Sequence, residues 1–406
     1  MQFIAEAKSR RACILSRKWR HKWSSIPRLV FDNQCTGSNV YGEPSQNLVK
    51  IIDRVLMLHS GPIETFVLSN VGFYTLRDID HWILHLSKVS IKQITLSIHT
   101  WQKYHIPTFF FNCQDLILLK LYGCSANTPS SFEGFENLST LYLQRVELSL
   151  NGLEALIFRC PRLKHLTLKD LEGITRVDIE AARNLESLDI GGAFLKVTFG
   201  VMNPLKSVTV RFNDNSENRH GPGNSNSNSS HLHKFFRDVH NIQILKIENY
   251  SLKYWALGDV PQTPPHALVH LKFLSICIDF NSKEQILTVM CLIRSSPQLK
   301  NENDHRSDHP KNQQMTMAKF WKDHHHSYCL EQVQLVSMRN IYGTEPEQEF
   351  MKFLLTSLQN LQTIIIRLRV GIVEGKLLRE LLRFRRASVQ AEVIFLSPIS
   401  DDTWDL

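Results

Sequence analysis

Residues 138–143 read Leu-Ser-Thr-Leu-Tyr-Leu and residues 163–168 read Leu-Lys-His-Leu-Thr-Leu. Both follow the order apolar-x-x-apolar-x-apolar. In the last three positions two leucines bracket a polar residue, so a short strand turns Leu141 and Leu143 to one side and Tyr142 to the other. The leucine three residues earlier enters the same apolar layer from the preceding turn. One such unit cannot bury its leucines alone, and the pattern therefore calls for copies on either side.

Those copies are present. Eleven begin at Ile63, Ile91, Leu116, Leu138, Leu163, Leu185, Leu205, Ile242, Leu271, Leu330 and Leu361, in steps of 28, 25, 22, 25, 22, 20, 37, 29, 59 and 31 residues. Most steps fall in or near the roughly 20–29 residues of a leucine-rich repeat. The spacing predicts an α/β leucine-rich-repeat solenoid, an irregular arc with a parallel sheet lining its concave side. Polar residues on that side, among them Tyr142, Gln144, Thr167, Lys169, Asp189 and Thr209, are candidates for the surface that holds a partner protein. Just past each strand an inward position is filled by Cys124 in one copy and by Asn213 in another. Val146, Leu171 and Tyr250 stand there elsewhere, so a regular asparagine ladder is mostly absent and an uneven solenoid is expected.

Between the strands lie segments with helical spacing. Leu48, Ile51, Ile52, Val55 and Leu56 share one face of 47–60, and Leu150, Leu153, Leu156 and Ile157 do the same ahead of Pro161. Residues 283–297 and 345–358 read as further helices. Two polar interruptions, 213–230 and 300–314, contain too little apolar material to pack and are expected as mobile loops.

Composition narrows the function. The net charge of +8 comes from one place: residues 8–28 hold eight lysines and arginines and no acid, which leaves 39 basic against 39 acidic residues in the rest. A nucleic-acid binder spreads its basic stripe over the folded body, so nucleic acid is not the expected partner. No run of about 18 apolar residues offers a membrane span. No signal-peptide core opens the chain, and a cytoplasmic or nuclear protein with no membrane partner is expected. The eight cysteines never approach within fewer than 11 residues of each other, so no CxxC pair exists, and reduced, packed thiols are expected.

The basic segment has its own pattern. At 100° per residue Ala12, Leu15, Trp19 and Trp23 fall within about 80° of arc, an apolar stripe on a short helix that ends before Pro27. The stripe suits a packed interior or a docking face.

Residues 10–32, Arg-Arg-Ala-Cys-Ile-Leu-Ser-Arg-Lys-Trp-Arg-His-Lys-Trp-Ser-Ser-Ile-Pro-Arg-Leu-Val-Phe-Asp, resemble the second half of the plant F-box motif. The match rests on Leu15, Ser16, Trp19, Arg20, Trp23, Pro27, Leu29, Phe31 and Asp32. Residues 381–395, with Arg386-Ala387-Ser388 and an apolar strand, resemble the closing part of the FBD region of the same family, and 349–368 resemble its preceding helix and strand. The resemblance implies a non-enzymatic substrate receptor of a cullin-RING, SCF-type ubiquitin ligase. Leu15, Trp19, Trp23 and Pro27 would meet an acidic adaptor subunit, and the repeats would hold a target protein. It also implies a division into a partial F-box (1–34), leucine-rich repeats (47–300), a polar mobile insertion (301–319) and an FBD-type region (320–397). The family's Ile-x-x-Leu-Pro segment and first helix find no match in residues 1–9, so the F-box reads as N-terminally truncated and weak adaptor binding is expected. The alternative is a repeat-based protein-binding module with a degenerate F-box and no ligase link.

Catalytic patterns are missing: no GxSxG, HExxH or phosphate-binding loop occurs, and no cofactor or metal is expected. His324, His325 and His326, with His305 and His309 nearby, lack any visible set of supporting residues.

Overall fold

The computed structural model describes residues 23–32, 45–71, 77–99, 103–194, 196–200, 204–213, 239–249, 251–255, 267–299, 301–307, 332–372 and 374–396. It divides into two compact units at Thr198/Phe199.

The first unit contains β1 (Arg28–Asp32), β2 (Thr65–Val71), β3 (Gln93–His99), β4 (Tyr104–Ile106), β5 (Leu118–Tyr122), β6 (Cys124–Ala126), β7 (Thr140–Gln144), β8 (Glu147–Leu148), β9 (His165–Lys169), β10 (Arg176–Asp178), β11 (Ser187–Gly192) and β12 (Lys196–Thr198). Seven of them pair in parallel in the order β1-β2-β3-β5-β7-β9-β11. Their inward residues alternate as the repeat requires. Leu119, Leu121, Leu141, Leu143, Leu166, Leu168, Leu188 and Ile190 are buried, as are the turn residues Ile91, Leu116, Leu138, Leu163 and Leu185. Each fully buried aliphatic side chain contributes about 1.5–3 kcal/mol, and the layer of them holds the stack together.

Helices α1 (Ser45–Leu58), α2 (Arg77–Leu86) and α3 (Leu150–Phe158) cover the back of this sheet. Leu48, Ile52 and Leu56 of α1 point inward as their spacing dictates. Trp82 donates its indole N–H to Asp53 at 2.7 Å and so ties α2 to α1. Where the back carries only a short 3-10 turn, Thr108–Asn112, four phenylalanines fill the space instead. Phe111 meets Phe132 at 5.2 Å and Phe132 meets Phe135 at 4.9 Å, both edge to face, the arrangement ring quadrupoles favour.

The turn after each strand explains the uneven inward position. Gly123, Arg145 and Asp170 follow β5, β7 and β9 directly and hold φ of 68°, 51° and 48°. That left-handed residue rotates the chain, so that Cys124, Val146 and Leu171 point inward and are buried. At Gly123 any Cβ would stand 2.2 Å from the Ile98 carbonyl oxygen, which only glycine avoids.

The second unit contains β13 (Ser207–Phe212), β14 (Ile244–Asn249), β15 (Phe273–Ile278), β16 (Asn301–Ser307), β17 (Leu335–Ile341), β18 (Thr363–Leu368) and β19 (Glu392–Leu396), all paired in parallel in chain order. Helices α4 (Ser251–Trp255), α5 (Lys283–Arg294), α6 (Glu345–Ser357) and α7 (Glu374–Arg383) lie between these strands in the chain. Thr344 and Glu347 form a capping box at the start of α6.

Arg28–Asp32, read as the extended exit of the F-box motif, form a strand that pairs with β2, with Leu29 and Phe31 buried. Three expectations change here. Asn301–Ser307, placed in a polar mobile insertion, form β16 between β15 and β17. Their backbone supplies a ladder that the polar sequence Asn-Glu-Asn-Asp-His-Arg-Ser hides, and with buried Leu299 ahead of them they account for much of the 59-residue step. The copy begun at Leu330 in the sequence is framed on Val333, Val336 and Met338, all buried. Asn213 is exposed rather than inward, since alternation continues through buried Val208, Val210 and Phe212. The 214–230 part of the first polar interruption lies outside the described residues.

Candidate partner-binding face

The open face of the first unit is a grid fixed by strand register. One row runs Val67, Thr95, Lys120, Tyr142, Thr167, Asp189, and the next runs Ser69, Ser97, Tyr122, Gln144, Lys169, Gly191. Neighbours along a row are roughly 4.8 Å apart and neighbours along a strand roughly 6.7 Å, so long side chains reach across both.

Two stacked clusters result. Tyr142 lies between ammonium groups from both sides, with Lys120 Nζ 6.0 Å and Lys169 Nζ 5.6 Å from its ring centroid. Its hydroxyl donates to Gln144 Oε1, and Lys169 Nζ reaches Asp189 Oδ2 at 3.3 Å. One position higher, the Tyr122 ring lies tilted against that of His99, 4.3 Å between centroids, and carries the Arg145 guanidinium 5.7 Å from its centroid. Arg145 arrives there because its left-handed backbone carries it back over β5. Partial burial, and then the Arg145 charge, hold the His99 imidazole below its usual pKa, and its Nε2 bonds Ser97 Oγ at 2.9 Å.

At the rim, β4, β6 and β8 make a three-stranded parallel sheet. Lys103 bonds Glu147 at 3.1 Å and also Glu172. Burial pulls the pKa of its ammonium down, but the bonds to Glu172 and Glu147 outweigh this and raise it. His105 Nδ1 and Ser125 Oγ share a hydrogen bond, with Glu147 in register beyond Ser125. In that order the acid does not orient the histidine, so the acid–base–nucleophile relay of a hydrolase is not formed.

Five of the six residues singled out in the sequence, Tyr142, Gln144, Thr167, Lys169 and Asp189, thus lie together on three adjacent strands. Thr209 does not join them. It belongs to the second unit and is only 8% exposed, in register with Lys246 and, beyond that, buried Ser275. Leu15 and Trp19 lie outside the described residues, as does the Trp23 side chain; Pro27 is exposed beside β1. The histidine group around 324–326 also lies outside them. Lys120, Tyr122, His99 and Arg145 were not singled out. Lys120 and Tyr122 occupy the same polar positions as Tyr142 and Gln144 one copy earlier, so alternation alone would have found them; Arg145 needed the left-handed turn. Five cysteines, Cys113, Cys124, Cys160, Cys277 and Cys291, are free and buried, and no described helix is long and apolar enough to cross a membrane.

Parallel strands at this spacing, with an aliphatic inner face and a polar open one, define a leucine-rich-repeat protein. A family model described as "FBD-associated F-box protein At5g56370, LRR repeats" matches residues 79–301. The chain is 31% identical over 393 residues to F-box/FBD/LRR-repeat protein At1g13570 of Arabidopsis thaliana, covering 95% of this chain and 92% of that one. It therefore belongs to the plant F-box/FBD/leucine-rich-repeat family. F-box/FBD/LRR-repeat protein At5g56420 of the same plant is 25% identical over 39% of this chain and 38% of its own. Among solved structures an internalin from Listeria monocytogenes covers 88% of this chain and 96% of its own, at 13% identity and a TM-score of 0.29, too slight a likeness to carry an argument.

Proposed function

We propose that this chain is the substrate-recognition subunit of a cullin-RING, SCF-type ubiquitin ligase in the cytoplasm or nucleus, without catalytic activity of its own. In this reading the F-box segment meets an acidic adaptor and the repeat face holds the protein to be modified. The observation that carries it is the likeness to an F-box/FBD/LRR-repeat protein along 95% of the chain, together with the F-box pattern at Leu15, Trp19, Trp23 and Pro27. Eight basic residues between 8 and 28 suit an acidic adaptor, since complementary charge chiefly raises the association rate. The finer claims, that Tyr142, Gln144, Thr167, Lys169 and Asp189 touch the target, follow from their place on the open face.

Proximity labelling in plant cells with the full chain carrying a family-type first F-box helix ahead of Ala5, with and without proteasome inhibition, tests the proposal. Labelled adaptor and cullin in both conditions, with other proteins enriched only under inhibition, is the expected result. Labelled partners that include no ligase subunit and ignore the inhibitor would instead favour a repeat-based binding module.

A further inference from the structure

We infer that the open face of the first unit binds an acidic peptide segment of its protein partner, seating carboxylates between Lys120, Arg145 and Lys169 over the rings of Tyr122 and Tyr142. The inference deepens the receptor reading and rests on it only in taking that partner to be the ligase target.

The cations around this patch divide into paired and unpaired. Nearby in the same unit Lys92 is neutralised by Glu64 at 2.6 Å, Lys164 by Glu186 at 3.0 Å and Lys103 by Glu147 and Glu172. Lys169 is likewise matched by Asp189. Lys120 and Arg145 have no ion pair with a described carboxylate; each is held over a tyrosine ring instead. A cation resting on a ring face is attracted by its quadrupole yet keeps most of its charge for a further ligand, and part of its side-chain freedom is lost before binding.

Backbone conformation gives a second, independent observation. Arg145 sits at the left-handed position that Gly123 and Asp170 fill in neighbouring copies, at φ 51°. A long arginine is a poor choice there on conformational grounds, and strained backbone is held where the side chain it presents is used. What it presents is the guanidinium over Tyr122.

The partner's chemistry follows from size and sign. Three cations, Lys120, Arg145 and Lys169, against one acid, Asp189, leave an excess of two positive charges, enough for two carboxylates. A nucleic-acid track would continue across more strands, whereas the chain outside residues 8–28 is balanced between acids and bases.

The test uses the full chain and a fluorescent peptide alternating glutamate with serine and glycine, read by anisotropy, beside the same peptide with glutamine for glutamate. The acidic probe is expected to bind, to weaken with salt, and to lose about tenfold or more in affinity in Lys120→Ala and in Arg145→Gly. Lys88→Ala, an exposed lysine past α2, should change nothing. Arg145→Gly keeps the left-handed turn available, so its melting temperature should equal or exceed that of the unaltered chain, which separates lost binding from lost folding. Equal binding of the two peptides, or indifference to both substitutions, overturns the inference. So does an oligothymidylate that binds more tightly through the same two residues. Adaptor capture is measured on the same proteins carrying a family-type first F-box helix ahead of Ala5: capture without peptide binding fails this inference alone, and peptide binding without capture fails the receptor reading alone.

Discussion

Lys169 on β9 and Asp189 on β11 form an ion pair at 3.3 Å across adjacent strands, each about a quarter exposed. A pair so wetted adds little stability, so Asp189→Asn should move unfolding by less than about 1 kcal/mol. Its effect on binding should be larger and positive. Freed from Asp189, the Lys169 ammonium turns wholly to the ligand, and affinity for an acidic peptide should rise several-fold with a steeper salt dependence, read by anisotropy titrations at two ionic strengths.

The register predicts opposite behaviour for neighbours in sequence. Leu141 is fully buried between β5 and β9, and its truncation to alanine should cost about 2–5 kcal/mol in urea unfolding. Tyr142→Ala, one residue on, should cost far less while removing the ring shared by Lys120 and Lys169 and with it most peptide affinity. The reverse ranking would mean that the strand is one residue out of register.

Gly123 is the position least open to change. Its φ of 68° and the 2.2 Å approach of the Ile98 carbonyl leave no room for a methyl group. Gly123→Ala should cost more than the roughly 1 kcal/mol of an ordinary left-handed alanine, measured as the loss in the urea midpoint.

The buried thiols should be inert while the chain is folded. Burial pushes Cys113 and Cys124 up to about 12 and Cys160 and Cys291 up to about 11. Near pH 8 they therefore stay protonated and unreactive toward a disulfide reagent, and rise to ordinary reactivity in urea. Because their folded values lie above the unfolded ones, the preference for the folded state is complete below about pH 8 to 9. It is lost as pH climbs through the folded values.

Much of this fold is legible because leucine-rich repeats encode strands by period-two alternation and anchor each with an apolar residue three positions earlier, as in Leu138, Leu141 and Leu143. Legibility fails where backbone, not side chains, makes the strand. Asn301–Ser307 carry no apolar signal yet pair with β15 and β17. The face was half legible for a related reason. Tyr142, Thr167 and Asp189 share a row that alternation reveals, but Arg145 reaches Tyr122 only through a positive φ at a non-glycine residue, which no spacing announces. Thr209 obeys the alternation and is buried all the same, because exposure depends on what neighbouring strands place beside it.

The receptor account is tested most directly by capture of the purified acidic adaptor, comparing the chain as it stands with one carrying a family-type first F-box helix ahead of Ala5. A stable interface generally buries on the order of 1,200 Å² or more. The account predicts weak capture by the first and a stoichiometric complex with the second, lost again when Trp19 becomes alanine. No capture by either chain would contradict it and leave a protein-binding repeat with no link to the ligase.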